Sequence, residues 1–142
     1  MTVAYFDASA LVKLVVDEPD SDDAALLWDG ADAVITSRVA HAEVRAALAA
    51  AHRNGRLEEA DHMAAKAAWD TFRPALRFVE VAHQLEEDAG DLAERHALSG
   101  FDAIHLASAL TLTGLPIIVA TWDLRLLRAA RSAGLGSLPA QR

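Results

Sequence analysis

Val3-Ala4-Tyr5-Phe6-Asp7-Ala8-Ser9-Ala10-Leu11-Val12-Lys13-Leu14 sets the architecture. Four apolar or aromatic residues in a row read as a short buried strand. Asp7 stands where that strand stops, and 9–16 then reads as a helix with Leu11, Leu14 and Val15 on one face. An acid at the carboxyl end of such a strand lies where open α/β sheets place their ligand. The same pattern returns near the other end of the chain. Pro116-Ile117-Ile118-Val119-Ala120-Thr121 is the clearest strand, its unbroken apolar run implies cover on both faces, and Asp123 follows it at the head of a helix over 123–133 closed by Gly134.

Between these ends the elements alternate. The spacing predicts a short helix over 24–28, a strand over 33–36, and a helix over 38–52 that Ser37 can cap and Asn54-Gly55 ends. A helical hairpin is expected over 57–72, a strand over 77–81, and a polar helix over 84–96 with Leu85, Leu92 and Ala93 facing inward. A strongly apolar helix over 101–112 follows, ended by Gly114 and Pro116. Strands separated by helices, with no hairpin signal, require a mainly parallel sheet covered on both faces: a three-layer α/β/α single domain over 1–142, with four to five strands. Asp17-Glu18-Pro19-Asp20-Ser21-Asp22-Asp23 reads as a solvated acidic turn, because it lacks the glycine and ligand spacing of a calcium loop.

The composition narrows the function classes. With 142 residues, 53% hydrophobic and 24% charged, the chain has the make-up of a globular domain. No apolar run approaches the roughly 20 residues of a membrane span. The N-terminus lacks the basic start of a signal peptide, which fits a cytoplasmic protein with no membrane association. With no cysteine, disulfides and thiolate metal sites are excluded. A net charge of −8 argues against grip on nucleic acid through overall basicity, yet it leaves room for a nuclease whose acids hold cations.

Two more acids join Asp7 and Asp123. Asp102 sits in Ser99-Gly100-Phe101-Asp102, a capping-box pattern, and also shares a helical face with His105, Leu106, Ala109 and Leu110. Glu43 shares its face with Val39, Ala40, Ala46, Ala47 and Ala50 and has no basic residue three or four positions on. A buried, unpaired carboxylate is expensive, so Glu43 needs a partner from elsewhere, and a cation is a natural one. Each aspartate alone could be no more than a helix cap. Together, carboxylates ~4 Å apart repel by about 1 kcal/mol in water and about 4 at an effective dielectric of 20, so convergence needs positive charge. With only oxygen ligands on offer, the fitting ions are hard ones, Mg²⁺ or Mn²⁺.

The pattern resembles the PIN-domain ribonucleases, most closely the VapC toxins of bacterial toxin–antitoxin pairs. Four segments carry the likeness, in the family's order: Val3 to Lys13; Ser37-Arg38-Val39-Ala40-His41-Ala42-Glu43-Val44-Arg45-Ala46-Ala47-Leu48; Leu98-Ser99-Gly100-Phe101-Asp102-Ala103-Ile104-His105-Leu106-Ala107; and Thr121-Trp122-Asp123 with Leu126, Ala129 and Ala130. The resemblance implies a PIN-like fold and an acidic site of Asp7, Glu43, Asp102 and Asp123, with Ser9 and Thr121 as polar neighbours. It further implies Mg²⁺- or Mn²⁺-dependent endoribonuclease activity that blocks translation, homodimerisation, and inhibition by a VapB-like antitoxin in a heterotetramer or larger assembly. One departure stands out: some relatives carry a further acid two positions after the last aspartate, where this chain has Arg125.

On that reading all four acids serve the metal: Asp7, Asp102 and Asp123 hold it directly or through water, and Glu43 binds it or orients its bound water as a general base. Arg38, Arg45 and Arg125 are the candidate phosphate contacts, with Arg128 and Arg131 on the same helical stripe as Arg125. His105 reads first as a packed or hydrogen-bonded residue, with a proton shuttle as the sharper alternative. Trp28, Trp69 and Trp122 read as core or interface residues, and Trp122 could alternatively stack on a base. Two rival readings stay open. One is a non-catalytic PIN-like module that binds antitoxin or RNA. The other is a phosphate-transferring hydrolase with Asp7 as nucleophile, although Ser9 stands where that class has a second aspartate.

Overall fold

Five strands, β1 (Val3–Phe6), β2 (Ala33–Ser37), β3 (Arg77–Val79), β4 (Ile117–Ala120) and β5 (Gly136–Leu138), form one sheet in the order β3-β2-β1-β4-β5. The computed structural model describes residues 1–112 and 114–140; positions 113, 141 and 142 of the expected 1–142 domain lie outside the described residues. Every strand pairing is parallel, with Val3 opposite Ala33 on one side and opposite Ile117 on the other. Parallel neighbours need long crossovers, and helices supply them. These are α1 (Ala8–Val15), α2 (Ser21–Gly30), α3 (Ala40–Arg53), α4 (Glu59–Phe72), α5 (His83–His96), α6 (Gly100–Leu110) and α7 (Leu124–Ser132).

Alternation along β1 splits the core in two. Val3 and Tyr5 join a cluster with Leu85, Leu92, Leu106 and Leu126, under α5, α6 and α7. Ala4 and Phe6 join another with Leu11, Val44, Leu48 and Trp69, under α1 to α4. Successive side chains of a strand point to opposite faces, so one four-residue strand serves both cores. Strand order decides where the site falls. The chain leaves β1 toward β2 and β3, then crosses back to lay β4 on the other flank of β1. At such a switch point the segments leaving the two strands diverge, and a crevice opens beyond their carboxyl ends. Asp7 and Asp123 follow those two ends.

The helix and strand expectations hold with local differences. The sheet is wholly parallel with five strands. The fifth, β5, has no counterpart among the strands read from the sequence. It lies close against β4: a Cβ on Gly136 would stand 3.0 Å from the Ile117 carbonyl oxygen, so glycine is the residue that fits. The stretch 57–72 forms a single helix, α4, paired with α3, rather than a hairpin of its own. The acidic turn is solvated, as expected, and it is also pinned. Lys13 Nζ donates to Glu18 Oε1 at 3.1 Å and to the Pro19 carbonyl at 2.7 Å, and Trp122 Nε1 donates to Asp20 Oδ2 at 3.0 Å. No helix among the described residues is long and apolar enough to cross a membrane.

Candidate active site

Asp7 is the N-cap of α1 and is only 3% exposed. Its Oδ1 accepts from the Ala10 N–H at 3.0 Å and from the Ser9 hydroxyl at 2.6 Å, and its Oδ2 accepts from the Thr121 hydroxyl at 2.5 Å. The two hydroxyls also reach the other strand end. Thr121 Oγ1 accepts from the Asp123 N–H at 3.1 Å, and Ser9 Oγ accepts from the Trp122 N–H at 2.9 Å. Asp123 caps α7, its Oδ1 accepting from the Leu126 N–H at 3.0 Å. Both aspartates therefore do perform the capping role, and Ser9 and Thr121 stitch them together across the crevice. Burial pushes the Asp7 carboxyl above the usual aspartate range; its three hydrogen bonds pull the other way.

Asp102 lies in the first turn of α6, half-buried, with its N–H donated to the capping Ser99 hydroxyl at 3.3 Å. Its acidity is also weakened, first by burial, then by the charge of Asp123, with Asp7 contributing further. Asp102 therefore senses both other aspartates. Glu43 comes from α3 on the opposite layer. The buried stripe of α3 is Ala40, Val44 and Leu48, whereas Ala46 and Ala47 are exposed, so Glu43 sits at the margin of the core. Its partner is a side chain: Oε1 lies 2.6 Å from His105 Nε2. His105 is 1% exposed, and its Nδ1 lies 2.7 Å from the hydroxyl of Tyr5 on β1.

The donor chemistry suits a hard cation. Among the described residues no lysine or arginine forms an ion pair with Asp7, Glu43, Asp102 or Asp123. Burial leaves Asp7 reluctant to ionise, burial and like charge do the same to Asp102, and a cation would relieve both. No three His, Asp or Glu side chains among the described residues are arranged to hold a metal ion between them.

The sequence matches the PIN domain family over residues 4–132. Ribonuclease VapC45 of Mycobacterium tuberculosis (strain CDC 1551 / Oshkosh) is 50% identical over 141 residues, covering 99% of this chain and 98% of the relative. The chain belongs to the PIN-domain ribonucleases, in the VapC group. Solved structures share the fold. Mycobacterium tuberculosis VapC20, a Sarcin-Ricin loop cleaving toxin, matches with a TM-score of 0.67 at 24% identity, over 93% of this chain and 95% of the other. VapBC2 from Rickettsia felis, solved bound to a DNA fragment from its promoter, matches with a TM-score of 0.63 at 14% identity, over 95% and 96%. PIN-domain ribonucleases generally depend on a divalent metal ion.

In this PIN domain the candidate phosphate contacts divide. Arg45 and Arg125 are exposed. Arg38 is exposed but tethered, its Nε donating to Glu80 Oε1 at 2.8 Å and its guanidinium stacked 4.6 Å from the Phe78 ring centroid. Arg131 leaves the stripe altogether: it donates to Ser137 Oγ at 3.0 Å and the Pro139 carbonyl at 2.8 Å, clasping β5. Trp69 is fully buried, Trp28 lies edge-on between Phe6 and Phe72, and Trp122 is half-buried under Lys13 Nζ at 4.9 Å from its ring centroid. The residue that sequence reasoning missed is Tyr5. Its signal was available: it is the single tyrosine, in an otherwise apolar strand, and a buried hydroxyl needs a partner.

Proposed function

We propose that this VapC-type ribonuclease is an endonuclease toxin that cleaves RNA by water attack on a phosphodiester at Asp7, Glu43, Asp102 and Asp123, and so halts translation and growth. The observation that carries the reading is the buried Asp7 carboxylate, held by three donors, bridged through Thr121 to Asp123, and without a cationic side-chain partner. Asp7, Asp102 and Asp123 would hold the metal directly or through water, Mg²⁺ with Mn²⁺ able to substitute. When bound, such an ion polarises the phosphoryl oxygen and acidifies a water.

The protein groups do the rest. Ser9 and Thr121 fix both oxygens of Asp7, so the carboxylate does not swing when RNA arrives. Glu43, about a quarter exposed, faces the crevice edge and takes the proton of the attacking water. Arg45 and Arg125, with Arg38 at the sheet edge, neutralise backbone phosphates. A VapB-like antitoxin is the partner, supported by the shared fold with the VapBC2 toxin, and the acidic chain suits a basic protein. The active unit is a homodimer, completed by antitoxin to a heterotetramer or larger.

Asp7→Asn tests the site. Asparagine caps a helix as well as aspartate does, so the fold survives while the charge is lost. Wild type is expected to slow growth and cut RNA in Mg²⁺ or Mn²⁺, with both effects lost in the mutant and cleavage lost on adding EDTA. A folded Asp7→Asn protein that still cuts overturns the four-acid site. A wild type that poisons growth without cutting RNA supports the binding-module reading instead.

A further inference from the structure

The contact that answers the need of Glu43 for a partner also raises a new question. Glu43 and His105 belong to opposite helical layers: α3 packs in the core under Phe6, and α6 in the core under Tyr5. Their side chains meet beyond the carboxyl edge of the sheet at 2.6 Å. Behind the imidazole stands Tyr5, on the central strand, its hydroxyl 2.7 Å from Nδ1 and its ring edge-on to the imidazole at 72° with centroids 5.8 Å apart. Tyr5 and His105 are both sealed from solvent, at 0% and 1% exposure.

The hydrogen-bond directions follow from the neighbours. A carboxylate offers only acceptors, so the 2.6 Å contact asks for a proton on Nε2. Near Tyr5, Ser108 and Thr36 have already spent their hydroxyl protons on carbonyl oxygens, each at 2.7 Å: Ser108 on Ile104 and Thr36 on Phe6. Tyr5 itself is a phenol and carries its proton at neutral pH. Its proton is placed for Nδ1 of His105, 2.7 Å away.

We propose that His105 is a positioning residue for Glu43: Tyr5 donates to Nδ1, the ring proton is thereby kept on Nε2, and Nε2–H holds Oε1 of Glu43 so that Oε2 faces the crevice. The inference deepens the reading of Glu43 as the group that handles the attacking water, and rests on it. Oε2 makes no hydrogen bond among the described residues, which leaves it for that work. The central strand, which places Asp7 at its end, thus places Glu43 as well, through a side chain two residues earlier.

The test separates the two ring nitrogens. Nitrogen-15 spectra of the full-length wild type are expected to show His105 with its proton on Nε2 and none on Nδ1; a proton on Nδ1 overturns the inference. Gln places its amide near where Nε2 stood, and Asn near Nδ1. His105→Gln should keep kcat for RNA cleavage within about threefold. His105→Asn should lose about 10- to 100-fold in kcat with KM unchanged, the usual range for an outer hydrogen bond that orients a site ligand. Equal loss in both variants, or a loss carried by KM, overturns it. Should neither variant fold, Tyr5→Phe decides through the spectrum: with its donor gone, the Nδ1 resonance must shift toward that of an unbonded imidazole nitrogen, and an unchanged Nδ1 resonance is fatal. An Asp7→Asn protein that still cuts RNA defeats the four-acid reading whatever this spectrum shows, so the two failures remain distinguishable.

Discussion

Tyr5 and Phe6 are neighbours in sequence and look into different proteins. Phe6 enters a dry aromatic layer, edge-on to Trp28, which is itself edge-on to Phe72, with Trp69 buried beside Leu48 and Val44. Tyr5 enters a layer of leucine and alanine whose one polar thread runs through His105 to Glu43. The aromatic face anchors the sheet by bulk. The other face is packed with small residues around a hydrogen-bonded chain, and chains of that kind are costly when half-satisfied and rigid when complete. Among the described residues every buried side-chain polar atom has a partner, so this one is complete. The contrast teaches that one layer holds the fold and the other holds the aim of the site.

The contrast can be broken by experiment. Trp69→Ala empties the aromatic layer and is expected to lower unfolding free energy by about 3–5 kcal/mol, read by chemical denaturation. Cleavage per folded molecule should be unchanged; a loss of cleavage in the folded fraction would mean the anchoring layer also aims the site. Thr121→Val keeps shape but leaves Asp7 Oδ2 and the Asp123 N–H unpaired, for a loss of about 1–3 kcal/mol. Here cleavage should fall together with stability, and retention of full cleavage would detach Thr121 from the site.

A smaller effect should appear in the pH dependence of the metal-free protein. Asp7 binds its proton more tightly folded than unfolded, so it favours folding below its ordinary range and disfavours it as pH rises through the elevated folded value. Unfolding free energy should therefore decline across that interval in wild type, and decline less in Asp7→Asn. Identical slopes in urea titrations at several pH values would show that Asp7 carries no such burden.

Much of this was legible beforehand, for physical reasons that differ by element. β1 and β4 announced themselves because strands covered on both faces must be apolar throughout, and Asp7 and Asp123 followed from where such strands end. Helical spacing singled out Glu43 and Asp102 through the apolar faces they share, and family likeness assigned all four acids to one site. β5 was invisible: Gly136-Ser137-Leu138 has no strand propensity of its own and becomes a strand because β4 offers an open edge and glycine lets it approach. The partner of Glu43 was hidden too, 62 positions away, and Tyr5 lies 100 positions from His105. Helical spacing reports neighbours a turn apart and is silent about such contacts. The acidic turn is solvated as its composition reads, but the contacts from Lys13 and Trp122 that hold it come from segments before and far after it.

The register of the central strand has a consequence for the life of the chain during synthesis. Val3 to Phe6 pair with Ile117 to Ala120, so the first strand made waits for nearly the last one. Until then the crevice has one wall, Asp7 lacks the Thr121 hydroxyl, and Asp123 does not yet exist. A fragment released before that point therefore lacks one wall of the proposed site. Cleavage at that site waits for a nearly complete chain, which leaves an inhibitor in the same cell the whole of translation in which to be ready.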